Sequence, residues 1–151
     1  TFDSELIKVK KKKTLKRPTE KEKAKLFLED PDIQKKNMEL SVKDIKICKN
    51  IYKRTPVGSD VIFTNTVDSL YCFSRIQNPG AKTEVKHVWY YENKVMTQVR
   101  YNVKKSNIYR SWTKKTILSS QVGKWRVDIQ DSNGTIIGSK KFKIVKAKKF
   151  N

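Results

Sequence analysis

The sequence is poor in the residues from which catalytic and metal sites are usually built. It contains one histidine, His87, and two cysteines, Cys48 and Cys72, with no CxxC pair and no Cys/His cluster at metal-ligand spacing. Its five glycines form no phosphate-binding loop, and neither a nucleophile nor a pair of carboxylates stands out. We therefore expect no enzyme activity, no metal and no small-molecule cofactor. We expect His87 to be a structural residue of a strand; the alternative is a lone general base.

Apolar residues and long apolar runs are also scarce. Only 36% of the 151 residues are hydrophobic, against roughly 45 to 50% in an ordinary globular chain, so the core is expected to be modest. No apolar run approaches the ~20 residues that span a bilayer, and no signal peptide is recognisable. The chain starts at Thr1 instead of methionine, which fits either the mature product of a cleaved precursor or part of a longer chain.

Negative charge is the third shortage. The chain has 35 Lys and Arg against 15 Asp and Glu, for a formal net charge of +20. The excess is not confined to the lysine-rich start, because residues 45–151 carry 22 Lys and Arg against 6 Asp and Glu. Such a charge predicts an anionic neighbour. We expect an acidic protein partner or multi-subunit assembly, with a polyanion as the alternative.

What the sequence does contain is a series of strand patterns, of which residues 123–145 are the clearest. Trp125, Val127 and Ile129 alternate with polar residues, a DSNG turn follows, and the return strand carries Phe142. Seven or eight such short strands follow one another from residue 45, with a loop at 54–58 and a hairpin turn at 92–94. This pattern predicts an all-β domain at residues 45–151, an immunoglobulin-like antiparallel β-sandwich.

Residues 1–44 have a different composition and predict a basic N-terminal extension with one or two short helices. A capping box, TEKE, stands at 19–22, and Asp30-Pro31 is a second helix-start signal. Leu26, Phe27 and Leu28 form an apolar triplet. One short helix cannot bury three adjacent apolar residues, so we expect this triplet to dock on the body or on a partner. Residues 10–17 form a cationic run, for which the alternative is a solvated, flexible tail. The candidate binding residues of the extension are Lys10, Lys11, Lys12, Lys13, Arg17, Leu26, Phe27 and Leu28.

Within the strand-rich region, aromatic residues flanked by cations are further candidates for binding. The sequence YRSWTKK at 109–115 places a tryptophan between basic side chains, an arrangement that stacks on bases or sugars while lysines bind phosphates. The alternative is that the tryptophan is a half-buried core residue. No RNP-like, helix-turn-helix or finger motif is present, so any polyanion binding would be independent of sequence. The candidate residues are Arg110, Trp112, Lys114, Lys115 and Arg126.

Cys48 and Cys72 fall in the first and third predicted strands, where facing residues can meet disulfide geometry. A bridge would close a loop of about 25 residues and stabilise the domain by roughly 3 kcal/mol. It would also place the protein in an oxidising compartment: the periplasm, the cell envelope or the exterior. The alternative is two separate buried thiols.

Several blocks of the sequence carry a resemblance to a known family. They are Cys48 with RTPV at 54–57, LYCFSRI at 70–76, HVWY at 87–90, RSWTKKTI at 110–117, and GKWRVDIQD at 123–131 with Gly134 and Phe142. Over residues 48–144 they resemble a bacterial family known only as domain of unknown function 2914. The resemblance implies a small exported or envelope β domain, often appended to other segments. It brings no assigned reaction, ligand or catalytic residue.

Taken together, these features predict a non-catalytic exported binding or assembly subunit. We expect it to dock on an acidic protein or envelope partner through its extension and the basic faces of its sheets. The alternative function is sequence-independent binding of a polyanion such as nucleic acid, anionic glycan or anionic lipid.

Overall fold

The structure, a computed structural model, describes residues 39–148. This part of the chain is all-β and contains no helix. Its ten strands are β1 (Ser41–Cys48), β2 (Asn50–Tyr52), β3 (Thr55–Val57), β4 (Ile62–Thr64), β5 (Ser69–Asn78), β6 (Thr83–Tyr91), β7 (Lys94–Val103), β8 (Ser106–Thr116), β9 (Gly123–Gln130) and β10 (Ile136–Val145).

The strands form three sheets. The largest has five strands in the order β4-β10-β9-β6-β7, antiparallel except for the β4–β10 pair. The second has three antiparallel strands in the order β1-β5-β8. The short strands β2 and β3 form a separate antiparallel ribbon. The consecutive long strands β7 and β8 therefore belong to different sheets. Strand β7 is an edge of the five-stranded sheet, and β8 is an edge of the three-stranded sheet.

Side chains from the two larger sheets meet in a shared core. Trp89, Trp125 and Phe142 of the five-stranded sheet pack with Ile47 and Leu70 of the three-stranded sheet. The Trp125 and Phe142 rings are stacked, with centroids 5.9 Å apart. Inward-pointing residues alternate with outward-pointing ones, as a pleated strand requires. The charged residues of these strands are thereby left on the outer faces.

Most of the predicted strands are present. The alternation at residues 125–129 is confirmed, because Trp125, Val127 and Ile129 are all buried. The hairpin at 92–94 is confirmed as the turn between β6 and β7. Residues 54–58, expected to be a loop, instead supply β3, the second strand of the ribbon. The ribbon contributes to the ten strands found between residues 39 and 148, where seven or eight were expected.

The described body begins earlier than predicted, since β1 starts at Ser41, ahead of the expected boundary at residue 45. The division into an extension and a β domain remains a prediction, because residues 1–38 lie outside the described residues. The same holds for both short helices and for the candidate binding residues Lys10, Lys11, Lys12, Lys13, Arg17, Leu26, Phe27 and Leu28.

Candidate functional site

The outer face of the three-stranded sheet collects basic and aromatic side chains. Arg75 of β5 lies directly opposite Arg110 of β8, and Tyr71 lies opposite Lys114. Because side chains alternate along each strand, all of these point away from the core, while the intervening Cys72 packs into it. We call this surface the basic face and define it by Tyr71, Phe73, Arg75, Arg110, Trp112 and Lys114.

The aromatic side chains of the basic face are ordered by stacking. The rings of Phe73 and Trp112 lie nearly parallel, at 17°, with centroids 6.5 Å apart. Of the two stacked residues, Phe73 is buried, whereas Trp112 is 37% exposed. The ammonium Nζ of Lys114 lies 5.8 Å from the centroid of the Tyr71 ring. Trp112 is therefore a surface residue whose exposed part is available to a binding partner.

A pocket of about 290 Å³ adjoins the basic face, between the β2–β3 ribbon and the three-stranded sheet. We call it the arginine pocket because three arginines line it, Arg54, Arg75 and Arg110. Among residues 39–148, Asp44 is the single carboxylate in its lining, and its Oδ2 pairs with Nζ of Lys46 at 3.8 Å. The remaining lining residues are Lys46, Thr55, Pro56, Ser59 and Phe73.

Arg54 reaches this pocket from a turn with an unfavourable backbone. Lys53 and Arg54 join β2 to β3 with φ values of 48° and 62°, a region that Asn and Gly tolerate far better than long side chains do. The carbonyl oxygen of Arg54 accepts a hydrogen bond from Nη1 of Arg110 at 3.3 Å. Arg110 therefore ties the ribbon to the sheet while it lines the pocket.

The predicted binding residues of the β domain do not form one site. Arg110, Trp112 and Lys114 share the basic face, but Lys115 lies opposite Leu70 on β5 and its ammonium donates to the carbonyl of Thr116 at 2.8 Å. Strict alternation along β8 would have separated Lys114 from Lys115 on the sequence alone. Arg54 and Arg75 were not predicted as site residues, because their approach to Arg110 depends on long-range strand pairing.

Arg126, the remaining predicted residue, belongs to the five-stranded sheet. Its guanidinium Cζ lies 4.2 Å from the centroid of the Tyr90 ring, and its Nε donates to Oδ1 of the buried Asp128 at 3.1 Å. Together with Lys124 and Lys141 it lines a second pocket, of about 240 Å³. This outer face is also cationic, but its arginine is stacked and paired.

The only histidine lies between the two sheets in a hydrogen-bonded chain. His87 is fully buried; its Nδ1 lies 2.7 Å from Oγ1 of Thr113 and its Nε2 lies 2.9 Å from the hydroxyl of Tyr101. The Tyr101 hydroxyl also lies 2.6 Å from Oγ of Ser111, which is 2.9 Å from Oγ of Ser74. Burial lowers the pKa of His87 to about 4 and raises the pKa of Tyr101 to about 12. Both groups are therefore neutral at neutral pH.

The predicted disulfide is wrong: Cys48 and Cys72 are both free and buried. Cys48 lies opposite Tyr71 in the β1–β5 ladder, whereas Cys72 lies opposite Ile47. Adjacent rungs of a ladder point to opposite faces of a sheet, so Cys48 lies on the outer side and Cys72 in the core. Burial raises the pKa of both thiols, as the alternative interpretation of two separate thiols implies.

Between residues 39 and 148, no three His, Cys, Asp or Glu side chains are grouped so as to hold a metal ion. A helix long and apolar enough to cross a membrane is likewise not found in that part of the chain.

A family model described as "Protein of unknown function (DUF2914)" matches residues 82–144. The match confirms the resemblance noted in the sequence for the blocks at 87–90, 110–117 and 123–131. The blocks at 54–57 and 70–76 lie before the matched region, as do Cys48 and two of the arginines of the arginine pocket.

No curated protein matches the chain. Among solved structures, the chain is similar to a beta-glucosidase from Kluyveromyces marxianus in complex with glucose, with 12% identity and a TM-score of 0.42. It is also similar to the selenomethionine-labelled form of a beta-glucosidase from the same organism, with 13% identity and a TM-score of 0.45. Each likeness covers 72% of this chain and 14% of the enzyme.

Proposed function

We propose that this protein is a non-catalytic binding subunit that docks on an acidic protein partner in a cell-envelope or secreted assembly. Its body would be an immunoglobulin-like β-sandwich, and the residues before Ser41 a basic extension. The observation that supports docking best is the register of β5 and β8, which aligns Arg75 with Arg110 and Phe73 with Trp112 on one face. The envelope location is supported by the family resemblance alone, since the free thiols remove the disulfide from the argument.

The composition of the basic face suits a protein partner. Tryptophan and arginine are the residues most often found at the energetic centres of protein interfaces, and here Trp112 is flanked in the sheet by Arg110 and Lys114. Like charges that face each other across two strands destabilise a sheet. A partner that brings carboxylates to Arg75 and Arg110 would relieve that repulsion and add charge-assisted hydrogen bonds.

The extension is proposed to act together with the basic face. Deleting residues 1–38 removes the cationic run and the apolar triplet but keeps Leu40, which packs against the core, and β1, which begins at Ser41. We expect the shortened protein to remain folded, with an unchanged circular dichroism spectrum and unfolding transition, but to lose association. Association that survived this deletion unchanged would remove the extension from the proposal.

A matched pair of variants tests the basic face with defined probes. The probes are a short polyglutamate peptide and a single-stranded oligonucleotide of equal charge, titrated into the full chain at several salt concentrations. Trp112→Ala and Arg110→Gln should weaken binding of the peptide at least fivefold. Arg100→Gln removes the same charge from β7, an edge strand of the other sheet where Arg100 faces Lys86, and should leave the affinity within twofold. Equal losses in Arg110→Gln and Arg100→Gln would contradict a docking site on the basic face.

A second candidate function, sequence-independent binding of a polyanion, is favoured by one observation. The five-stranded sheet is also basic outside: Lys124 lies opposite Lys143, and Arg126 lies opposite Lys141. A polyanion binder would use cations on both faces, and its affinity would fall steeply with salt, with a slope of about −0.7 per neutralised phosphate for a single strand. Under this function Arg126→Gln and Arg110→Gln would weaken oligonucleotide binding to a similar degree, and the peptide would bind far more weakly than the oligonucleotide.

A further inference from the structure

We propose that the arginine pocket binds a phosphate monoester. A flat docking surface needs no concavity, yet the ribbon stands beside the basic face so that Arg54 joins Arg75 and Arg110 around one cavity of about 290 Å³. This volume lies at the small end of ligand sites, which span roughly 300 to 1,000 Å³. The pocket therefore suits a small anionic group better than a folded surface.

The charge of the lining favours phosphate over carboxylate. Arg54, Arg75 and Arg110 together with Lys46 supply four cationic groups, and among residues 39–148 only Asp44 offsets them. One carboxylate would neutralise a single charge and offer two oxygens. A phosphate monoester dianion offers three terminal oxygens and up to two charges, and guanidinium groups bind such oxygens through paired N–H donors.

The turn of the ribbon positions Arg54 at the pocket. The turn between β6 and β7 also has two residues with positive φ, Glu92 and Asn93. There the conformation is fixed by bonds to Lys124, whose N–H donates to Oε1 of Glu92 at 3.0 Å and whose carbonyl accepts from the N–H of Glu92 at 2.8 Å. At the ribbon turn the positive φ values of Lys53 and Arg54 are those that a two-residue hairpin turn requires, and the hydroxyl of Thr55 donates to the carbonyl of Lys53 at 3.3 Å. This turn places Arg54 beside Arg75 and Arg110 in the lining of the pocket.

The walls of the pocket indicate what the phosphate is attached to. Phe73 and Pro56 are apolar, and Ser59 supplies a hydroxyl. The hydroxyl of Thr55 donates to the carbonyl of Lys53 at 3.3 Å and is not a free donor. An apolar or aromatic group esterified to the phosphate would contact Phe73, whose ring is stacked on the exposed Trp112. Trp112 therefore reports on occupancy of the pocket.

The test uses the full chain and three soluble probes: phenyl phosphate, inorganic phosphate and benzoate. Binding is followed by tryptophan fluorescence and by isothermal titration calorimetry. Phenyl phosphate should bind at least tenfold more tightly than benzoate, which has the same ring and a carboxylate, and more tightly than inorganic phosphate. Equal affinities for phenyl phosphate and benzoate would overturn the proposal, because the pocket would then not distinguish a phosphate from a carboxylate.

Variants locate the site. Arg75→Gln and Arg110→Gln should each weaken phenyl phosphate binding at least tenfold, and Arg75→Lys, which keeps the charge but loses the paired donors, severalfold. Arg100→Gln is the matched control and should change the affinity less than twofold. Losses in Arg100→Gln as large as those in Arg75→Gln would place binding outside the pocket and overturn the proposal.

A lipid headgroup and a free small molecule can both supply a phosphate monoester. Vesicles of phosphatidylcholine with and without phosphatidic acid, whose headgroup is a phosphate monoester, separate the two sources. Capture on phosphatidic acid vesicles that Arg75→Gln abolishes identifies the lipid as the source. Binding to phenyl phosphate without capture identifies a soluble ligand. The proposal does not depend on docking of an acidic protein, since polyglutamate binding and phenyl phosphate binding are measured separately and either can fail alone.

Discussion

Cys48 and Cys72 stand on adjacent rungs of the β1–β5 ladder and point to opposite sides of the three-stranded sheet. Neighbouring strands bring their backbones close enough for a bridge, but the pleat turns the two side chains apart. Cys72 packs in the core with Leu70 and Trp89, while Cys48 is buried on the other side. The two thiols are thus held apart by the sheet itself and not by distance along the chain.

We expect both thiols of the native protein to resist labelling. Burial removes access and raises the pKa of each thiol, so little reactive thiolate forms at neutral pH. Iodoacetamide should label neither cysteine in native protein and both in urea, as read by mass spectrometry. A mass increase on reduction equal to that of one disulfide would contradict the sheet register described above.

We expect the Arg54→Gly substitution to stabilise the protein. Glycine adopts positive φ freely, so the substitution should relieve the backbone strain of the turn and raise the free energy of unfolding by about 0.5 to 1 kcal/mol. Lys53→Gly is the matched control, because it relieves the same turn and keeps the guanidinium of Arg54. Urea unfolding should show a gain for both variants, while only Arg54→Gly should lose binding of phenyl phosphate. A loss of stability in both would show that the turn is not strained.

The buried histidine should make stability depend on pH. The pKa of His87 is lowered to about 4 in the folded protein, against about 6.5 in an unfolded chain. The unfolded state therefore binds a proton first as the pH falls, and the stability present above pH 6.5 is lost towards pH 4. From pH 7 to pH 5 the free energy of unfolding should fall by about 2 kcal/mol. Urea titrations at pH 7, 6 and 5 test this, and a constant midpoint would exclude a buried neutral imidazole.

We expect the Tyr101→Phe substitution to be strongly destabilising for so small a change. It removes the hydroxyl that contacts Nε2 of His87 and Oγ of Ser111, and unsatisfied buried polar groups cost about 1 to 3 kcal/mol. Tyr109→Phe is the matched control, because the hydroxyl of Tyr109 makes no hydrogen bond within residues 39–148. Its effect should stay within about 0.5 kcal/mol. Similar midpoints of thermal unfolding for the two variants would contradict the network.

Residue alternation was sufficient to predict the strands that have one buried face. Trp125, Val127 and Ile129 were expected to share one face of their strand, and all three are buried. Such patterns act within a single strand, where the side-chain period of two is set by the backbone. They identify which residues share a face but not which strand lies alongside.

The arginine pocket depended on information that no local pattern carries. Arg75 meets Arg110 through pairing of β5 with β8, and two other strands lie between them in the chain. Residues 54–58 were expected to be a loop because they contain proline and glycine, and Lys53-Arg54 is unlike the Asn-Gly pair that usually marks a hairpin turn. The same limit explains the predicted disulfide, since the rung on which Cys48 falls follows only from the register with β5.

The hydrogen-bonded chain from Thr113 through His87 and Tyr101 to Ser111 crosses from one large sheet to the other. Apolar side chains tolerate small slides and rotations of one layer over its neighbour, whereas hydrogen bonds are lost when their atoms move apart. The chain therefore fixes a single alignment of the two sheets, whereas hydrophobic contact alone would leave several alignments of similar energy. Variants that break it are expected to broaden the distribution of inter-sheet angles before they unfold the protein.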